Sequence, residues 1–347
     1  MITIVIFFLG FSLLLYLLLG GADFGAGILE LFTRRKNLER SQAITYRAIG
    51  PVWEANHMWL VLMVVILFVG YPAIFKIFSI HLHIPILALL TGIIARGTAF
   101  IFRHYDAIQD ESRRYYDVVF KYSSFIPPLF LGMMAGALSA GKIDPDSLDF
   151  STSYIAPWLN FYAVSVGIFT VMICAFLAAI YLIGEAENES DQQRFVRKAF
   201  WFNMLTVIAG AMVFIGSEIE GVGLLRQFID SWAALVALIL ATISLGLLWF
   251  YLRKGLFIRL RILAGFQVSM ILFAWLWVQF PDMVLLANGE TLGLLDSAGP
   301  EGAIQSLAWA LILGGTLILP ALFYLFRSFG LIKLLSKKTK RNSTTSS

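Results

Sequence analysis

Nine long apolar runs, separated by short charged or Gly/Pro-containing connections, constrain this chain more than any other feature. A helix needs roughly 20 mostly apolar residues to cross the hydrocarbon layer of a bilayer. Apolar residues make up 59% of the chain and charged ones only 14%, which indicates a membrane protein. The runs are continuous rather than alternating, so they predict helices and not barrel strands. The predicted helices cover 2–22, 53–74, 83–103, 120–140, 158–184, 199–217, 231–252, 259–280 and 304–326.

The basic residues predict how these helices are oriented. Of the 26 Lys and Arg residues, 22 lie in the connections after helices one, three, five and seven or in the C-terminal tail. Cytoplasmic connections carry the excess of Lys and Arg, so we expect the N-terminus outside and the C-terminus in the cytoplasm. The first basic residue is Arg34, so the N-terminal run lacks the basic start of a cleaved signal and is expected to remain as helix one. Topology also accounts for the net charge of +4, which gives no reason to expect a nucleic-acid partner.

The connections leave no room for a separate water-soluble domain. The longest, around 33–51, 141–157 and 281–303, are each about twenty residues long. We therefore expect an all-α polytopic fold with a single transmembrane domain over 1–336. Residues 337–347 are polar and rich in Ser, Thr and Lys, which predicts a disordered cytoplasmic tail. The acidic external connections contain Gly and Pro, as is typical of solvated turns.

Cysteine and histidine give no pattern for a metal or haem site. The single cysteine, Cys174, lies inside helix five, which excludes a disulfide framework and a CxxCH haem motif. His57 is predicted on the inner side of helix two, His81 and His83 outside, and His104 in the cytoplasm. A buried haem needs axial ligands, and no two of these histidines face each other at one membrane depth. We therefore expect no metal or cofactor bound by this chain.

Ionisable residues within the predicted helices mark a candidate functional site, because a charge at the bilayer centre costs at least about 2.5 kcal/mol. Asp23 lies at the inner end of helix one, Glu54 opens helix two, and Arg96 and Arg103 share one stripe of helix three. If helix one continues, Glu30 lies on the same face as Asp23. All of these groups occupy the cytoplasmic half, so we expect Asp23 or Glu54 to meet an arginine inside the bundle.

The residues alone leave several interpretations of this cluster open. A buried ion pair can simply determine how helices pack. Alternatively, a carboxyl group with access to cytoplasmic water takes up protons, and Glu54 and His57 lie on one helix face, three residues apart, for such a transfer. A secondary transporter with an intramembrane acid/Arg site is a third interpretation. Most prolines lie near the ends of the predicted helices, which disfavours the broken helices of that class.

The segment over 50–60, GPVWEANHMWL, resembles the GPxW-D/E-x-N-x-x-W-L signature of subunit II of cytochrome bd-type quinol oxidases. Three more motifs agree in order and spacing: GADFGAG at 21–27, RGTAFIFR at 96–103 and SFIPPLFLG at 124–132. Residues 150–347 match that family only in length and helix pattern. Glu54 stands where many members have Asp, and Gly20 where some have a further Asp.

This resemblance implies a subunit of a respiratory terminal oxidase in the bacterial cytoplasmic membrane. Such an oxidase oxidises quinol, reduces dioxygen to water, and generates a membrane potential without pumping protons. Two haems b, haem d and the quinol site belong to the partner, subunit I, so no catalytic residue is expected in this chain. The resemblance also implies two four-helix bundles plus a peripheral helix, in a pseudo-symmetric heterodimer with subunit I. A small single-helix subunit, lipid and quinone are compatible further partners.

Residues of this chain that match the family's motifs are expected to have the roles of the corresponding family residues. Glu54 takes the acidic place of the helix-two motif, which is implicated in a proton path from the cytoplasm, and Asp23 takes that of helix one. His57 is the third proton-path candidate. The remaining motif residues are expected to form a structural polar cluster: Arg96, Arg103, Trp53, Asn56, Trp59 and Glu30. If Glu54 transfers no protons, the chain is a structural scaffold for its partner.

Overall fold

A computed structural model of the protein describes residues 1–50, 53–105 and 112–328. In this part of the chain nine helices are long and apolar enough to span a membrane, as predicted. We number these helices α1 to α9 in chain order. They are α1 (Ile2–Leu31), α2 (Trp53–Gly70), α3 (His83–Tyr105), α4 (Ser112–Ser139), α5 (Phe161–Ile183), α6 (Glu189–Ile219), α7 (Trp232–Lys254), α8 (Phe257–Gln279) and α9 (Glu301–Ser328). The predicted tail at 337–347 and Pro51 of the helix-two motif lie outside the described residues.

Several helices extend beyond their apolar runs. The apolar pattern ends helix one at residue 22, whereas α1 continues to Leu31. Likewise α4 starts at Ser112 rather than at 120, and α6 at Glu189 rather than at 199. Hydropathy detects only the part of a helix that suits lipid, and the backbone stays helical wherever charged side chains reach water or a partner group.

Short elements connect the long helices. A hairpin pairs β1 (Asp282–Leu285) with β2 (Thr291–Gly293) in antiparallel fashion, in a connection where the sequence predicts only solvated turns. Its Val284 side chain is completely buried, which explains why this connection is ordered rather than an open loop. Short helices complete the connections: Leu38–Ile49, Pro72–His81, Phe150–Tyr154 and Leu224–Asp230.

Helix α5 lies at the centre of the molecule, in contact with α1, α4, α6 and α8. Its most apolar stretch is 67% buried inside the protein, against 17% for α9. The crossing with α1 depends on Gly25, where a Cβ atom would lie 1.9 Å from the Cys174 carbonyl oxygen. Helices in lipid gain most of their attraction from such close backbone packing. Only glycine therefore fits at position 25.

The remaining contacts arrange the other helices around α1 and α5. Helix α1 also packs against α2 and α4, α3 packs against α4, and α7 packs against α8. Helix α9 lies against α1 and α2, and most of its surface is exposed. The division into two four-helix bundles with a peripheral ninth helix, and the orientation in the membrane, stay predictions.

Candidate functional site

One face of α1 carries polar side chains that the neighbouring helices cover. Ser12, Tyr16, Asp23 and Glu30 are each at most 2% exposed. A π-helical turn over Tyr16–Gly20 interrupts the α-helix in the middle of this face. Such turns occur frequently at functional sites. We call these four residues the polar face of α1.

Asp23 and Arg96 form a buried ion pair between α1 and α3. Arg96 Nη1 and Nη2 donate to the Asp23 carboxylate oxygens at 2.9 and 2.7 Å, and Nη2 also donates to the Asp23 carbonyl oxygen at 3.0 Å. Arg96 Nε donates to Ser124 Oγ of α4 at 3.1 Å. Both charged side chains are 1% exposed. Such two-pronged pairs are the strongest hydrogen bonds that charged side chains form.

A second ion pair lies seven residues further along both helices. Arg103 Nη1 and Nη2 donate to the two Glu30 carboxylate oxygens, each at 3.0 Å, and Arg103 Nε lies 3.5 Å from Asp117 Oδ1. Seven residues correspond to roughly 10 Å along a helix. The Phe120 ring contacts both guanidinium groups, at 5.0 Å from Arg96 and 4.5 Å from Arg103. This cation–π contact joins the two pairs into one cluster.

The small residues of the GADFGAG motif let α4 approach these pairs. At Gly27 a Cβ atom would lie 2.1 Å from Ser124 Oγ and 3.2 Å from the Phe120 ring. Ser124 hydrogen bonds to Arg96, and Phe120 stacks on both arginines, so both side chains need this approach. The motif therefore combines one buried acid with the small residues that bring its neighbours into contact.

The predicted structural residues of α2 flank the ion pairs without hydrogen bonding to the arginines in the described part of the chain. Trp53 is half-buried and packs on Phe100 with ring centroids 5.4 Å apart. Asn56 and Trp59 are buried, and the Trp59 ring lies edge-on to Phe11 at 5.9 Å. Arg96, in contrast, bonds directly to Asp23, and Arg103 bonds directly to Glu30.

Glu54 does not join the ion pairs. Its side chain is exposed and makes no hydrogen bond or ion pair within the residues that the structure describes. Of the two acids expected to meet an arginine, only Asp23 does so. The surface of α2 beyond Glu54 is apolar and exposed, with Val61 at 60% and Phe68 at 61%. Glu54 thus begins a helix face that points away from the interior of this chain.

His57 lies one turn from Glu54 and faces the polar face of α1. Its half-buried ring is 5.6 Å from the Phe24 ring and 6.3 Å from the Tyr16 ring. His57 Nδ1 is buried and has no hydrogen-bond partner among the described residues. This histidine therefore lies between the exposed carboxylate and the buried interior.

Sequence reasoning missed the N-terminal part of the polar face, which contains Ser12 and Tyr16. The Ser12 and Tyr16 hydroxyls and Trp59 Nε1 are buried without a hydrogen-bond partner in the described structure. Ser12 and Tyr16 are two of the few polar residues of a mostly apolar run, four apart and in phase with Asp23. This shared helix face is the signal in the sequence that identifies Ser12 and Tyr16 as neighbours of Asp23. Together these atoms and His57 Nδ1 form a series of unpartnered polar groups that continues from Asp23 towards the other end of α1.

The described residues contain no group of three or more His, Cys, Asp or Glu side chains placed to hold a metal ion. His81 Nδ1 lies 3.0 Å from the Ser153 carbonyl oxygen, and His81 and His83 both pack against Tyr154. Helix α2 separates them from His57 by roughly 20 Å. The described histidines therefore do not lie close enough together to serve as paired axial ligands of one haem.

A family of known proteins resembles this chain over most of its length. The family model for cytochrome bd terminal oxidase subunit II matches residues 1–329. The bd oxidase structure from Geobacillus thermodenitrificans includes a chain of the same fold, with a TM-score of 0.75 and 19% identity over 95% of this chain and 99% of that one.

Curated relatives match in sequence as well. Cytochrome bd ubiquinol oxidase subunit 2 of Bacillus subtilis is 27% identical over 54% of each chain. Cytochrome bd-I ubiquinol oxidase subunit 2 of Escherichia coli K12 is 27% identical over 47% of this chain and 43% of its own. The chain thus spans about half the length of these two relatives. A putative cytochrome bd menaquinol oxidase subunit II of B. subtilis is 23% identical over 91% of each chain. With the family model covering nearly every residue, this chain belongs to the cytochrome bd terminal oxidase subunit II family.

Proposed function

We propose that this chain is the haem-free subunit II of a respiratory quinol oxidase, where it supports subunit I and lines a proton path from the cytoplasm. The complex oxidises quinol and reduces dioxygen to water. It generates a membrane potential because the protons for water come from the cytoplasm, and it does not pump. Family membership supports this proposal over a secondary transporter.

In this proposal the chain spans a bacterial cytoplasmic membrane with its N-terminus outside. Two haems b, haem d and the quinol site belong to subunit I, which supplies the redox chemistry. The relatives' names include both ubiquinol and menaquinol oxidases, so quinol is the proposed substrate class. A small single-helix subunit and a bound quinone stay predictions.

The polar face of α1 is the observation that carries the proton path. Its inner end holds two carboxylates in ion pairs, and its outer end has hydroxyl groups without a protein partner. Buried polar groups of this kind commonly hold ordered water molecules. A series of water molecules and hydroxyl groups between Asp23 and Ser12 would carry protons roughly 16 Å into the membrane.

The position of Glu54 supports a role at the entrance. A carboxylate on an exposed transmembrane helix face is costly in lipid, so it favours a surface that water or subunit I covers. His57 lies between this carboxylate and Tyr16, and its imidazole can accept a proton on one nitrogen while releasing one from the other. We propose that protons pass from Glu54 through His57 to the polar face.

The test compares two acids in the assembled, haem-containing complex in proteoliposomes. We expect Glu54→Gln to lower the rate of quinol-dependent oxygen consumption, and with it the rate at which the membrane potential forms, by about 100-fold, because an amide cannot carry the proton. The matched control is Glu187→Gln, since Glu187 is an exposed carboxylate on the same predicted side, paired only with Arg47. Haem spectra of both variants must equal the wild-type spectrum. Unchanged turnover and potential in Glu54→Gln would reduce the chain to a scaffold.

A further inference from the structure

A basic cavity of about 380 Å³ lies between the end of α1 and the start of α6. The charge pattern predicts this side of the protein to be cytoplasmic. The cavity is open to its surroundings, and none of the four residues of the polar face of α1 lines it. Among the residues that the structure describes, its lining includes five basic side chains and no acidic one: Arg34, Lys36, Arg194, Arg197 and Lys198.

The basic side chains differ in how far this chain already neutralises them. Lys198 Nζ donates to the Leu29 carbonyl oxygen at 2.7 Å and to Thr33 Oγ1, and Arg194 bonds to Asp191. These bonds hold both side chains in place at the cavity. The others, Arg34, Lys36 and Arg197, are exposed and form no side-chain hydrogen bond or ion pair within the described residues. Three uncompensated cations around one cavity favour an anion.

The surroundings of the cavity indicate that the anion belongs to a lipid. Trp201 lines the cavity and is 65% exposed, as is typical of tryptophan at the level of lipid headgroups. A second groove of about 230 Å³ also contains Arg197 and Trp201 and continues between Phe200 of α6 and Trp249 of α7. This groove lies where α6 begins and α7 ends, and apart from Arg197 and Arg253 its lining side chains are apolar. The cationic cavity and the apolar groove thus share Arg197 and Trp201, which suits a ligand with an anionic headgroup next to an acyl chain.

We propose that this cavity binds the phosphate headgroup of an anionic phospholipid of the inner leaflet, with one acyl chain in the groove between α6 and α7. Basic pockets between transmembrane helices on the cytoplasmic side recognise such headgroups. Arg34 follows α1 and Arg197 lies on α6, so the bound headgroup bridges the two halves of the chain. A ligand that binds only the folded protein stabilises it by mass action.

The test uses the purified full complex, delipidated in a neutral detergent and titrated with phosphatidylglycerol or phosphatidylcholine, with bound lipid counted by native mass spectrometry. We expect phosphatidylglycerol to bind in preference to phosphatidylcholine. The double variant Arg34→Gln/Arg197→Gln should weaken phosphatidylglycerol binding about 30-fold, which corresponds to about 1 kcal/mol for each cation. The matched control is Lys254→Gln/Arg259→Gln, which removes two exposed cations on the same predicted side, around the turn between α7 and α8 and outside the cavity.

Three results would overturn the proposal. The first is equal phosphatidylglycerol binding by the wild type and the Arg34/Arg197 variant. The second is equal binding of phosphatidylcholine, which would leave the apolar groove as the determinant. The third is complete displacement by millimolar inorganic phosphate, which would identify a site for the free anion. Wild-type circular dichroism and haem spectra of the variant would show that it is folded, and its two residues make no side-chain bonds in the described chain that could be lost.

Discussion

The first four and the next four helices place their charges differently. Between α1 and α3 two ion pairs are nearly inaccessible, and Asp23 and Arg96 are each 1% exposed. In the second half the ion pair between Glu185 and Arg261 lies at the helix ends, with side chains 33% and 29% exposed. Asp191, at the start of α6, is buried but pairs with Arg194 of its own helix, and the buried contact between α6 and α7 is neutral, a bond from Trp249 Nε1 to Asn203 Oδ1 at 2.9 Å.

This difference indicates that helix packing alone does not require buried charges. In the described residues α5 to α8 pack on one another mainly through apolar, hydroxyl and amide groups, so their packing does not require an ion pair buried between two helices. Desolvating two charges often costs as much as their attraction returns. The ion pairs between α1 and α3 therefore call for an explanation other than packing, and the proposed proton path provides one.

Removing one partner of a buried pair should have the largest effect. Arg96→Gln leaves the Asp23 carboxylate buried without a counter-charge, and we expect it to lower the free energy of unfolding of the complex by about 3–5 kcal/mol. The matched variant Arg261→Gln affects a half-exposed pair and should cost at most about 1 kcal/mol. Thermal unfolding of the two purified complexes measures the difference. Equal losses of unfolding free energy in Arg96→Gln and Arg261→Gln would show that the buried pair is no more important for stability than the half-exposed one.

Replacing both partners separates stability from function. Asp23→Leu combined with Arg96→Met leaves no unpaired charge, so we expect it to regain most of the stability that Arg96→Gln loses, or about 3 kcal/mol. The oxygen consumption of this double variant should be lower than that of the wild type, because the buried carboxylate is absent. The measurements are the thermal midpoint and the turnover of the same preparation. A stable double variant with normal turnover would show that this pair only determines packing.

The neutral interior of the second half should respond more weakly. Asn203→Leu removes the acceptor of Trp249 Nε1, and we expect a loss of about 0.5–1.5 kcal/mol in unfolding free energy. Thr242→Val is the control, since the exposed Thr242 hydroxyl bonds only to its own helix, at the Leu238 carbonyl oxygen. It should change stability by less than about 0.5 kcal/mol. A loss for Asn203→Leu as large as for Arg96→Gln would contradict the comparison.

The smallest effect concerns the connections at the ends opposite the ion pairs. Lys142 donates a hydrogen bond to Glu220, which also accepts one from the Phe161 backbone N–H at the start of α5. The bond from Lys142 is the main cause that lowers the pKa of Glu220 below its ordinary value of 4.5. A lowered carboxyl pKa stabilises the folded state above about pH 4.5, and this contribution disappears as the pH falls through the folded-state value.

We therefore expect the thermal midpoint of the wild type to fall more between pH 6 and pH 3.5 than that of Glu220→Gln. The contribution should be below about 1 kcal/mol, because Lys142 is 34% exposed. Asp230→Asn is the control, since Asp230 lies in an exposed pair with Arg226. Identical pH curves for the wild type and Glu220→Gln would show that this pair does not stabilise the junction between α4 and α5.

The sequence by itself determined the helical class, the nine spans and the motifs that identify the family. These properties follow from local composition, because a transmembrane helix must be apolar over a length that the bilayer sets. The sequence also indicated that Asp23, Glu30, Arg96 and Arg103 lie in one half of the membrane. It did so because the distribution of Lys and Arg predicts the orientation of each helix, and these residues lie near the predicted cytoplasmic ends of theirs.

Only the tertiary structure decided which of these groups meet. Asp23 pairs with Arg96 and Glu30 with Arg103, while Glu54 faces outwards. The relative rotation and depth of two helices depend on contacts between distant residues, such as the close approach of α1 to α5 at Gly25. Periodicity within one helix carries no information about that arrangement. The cavity between α1 and α6 likewise exists only because residues about 160 positions apart are brought together, as in the bond from Lys198 Nζ to Thr33 Oγ1.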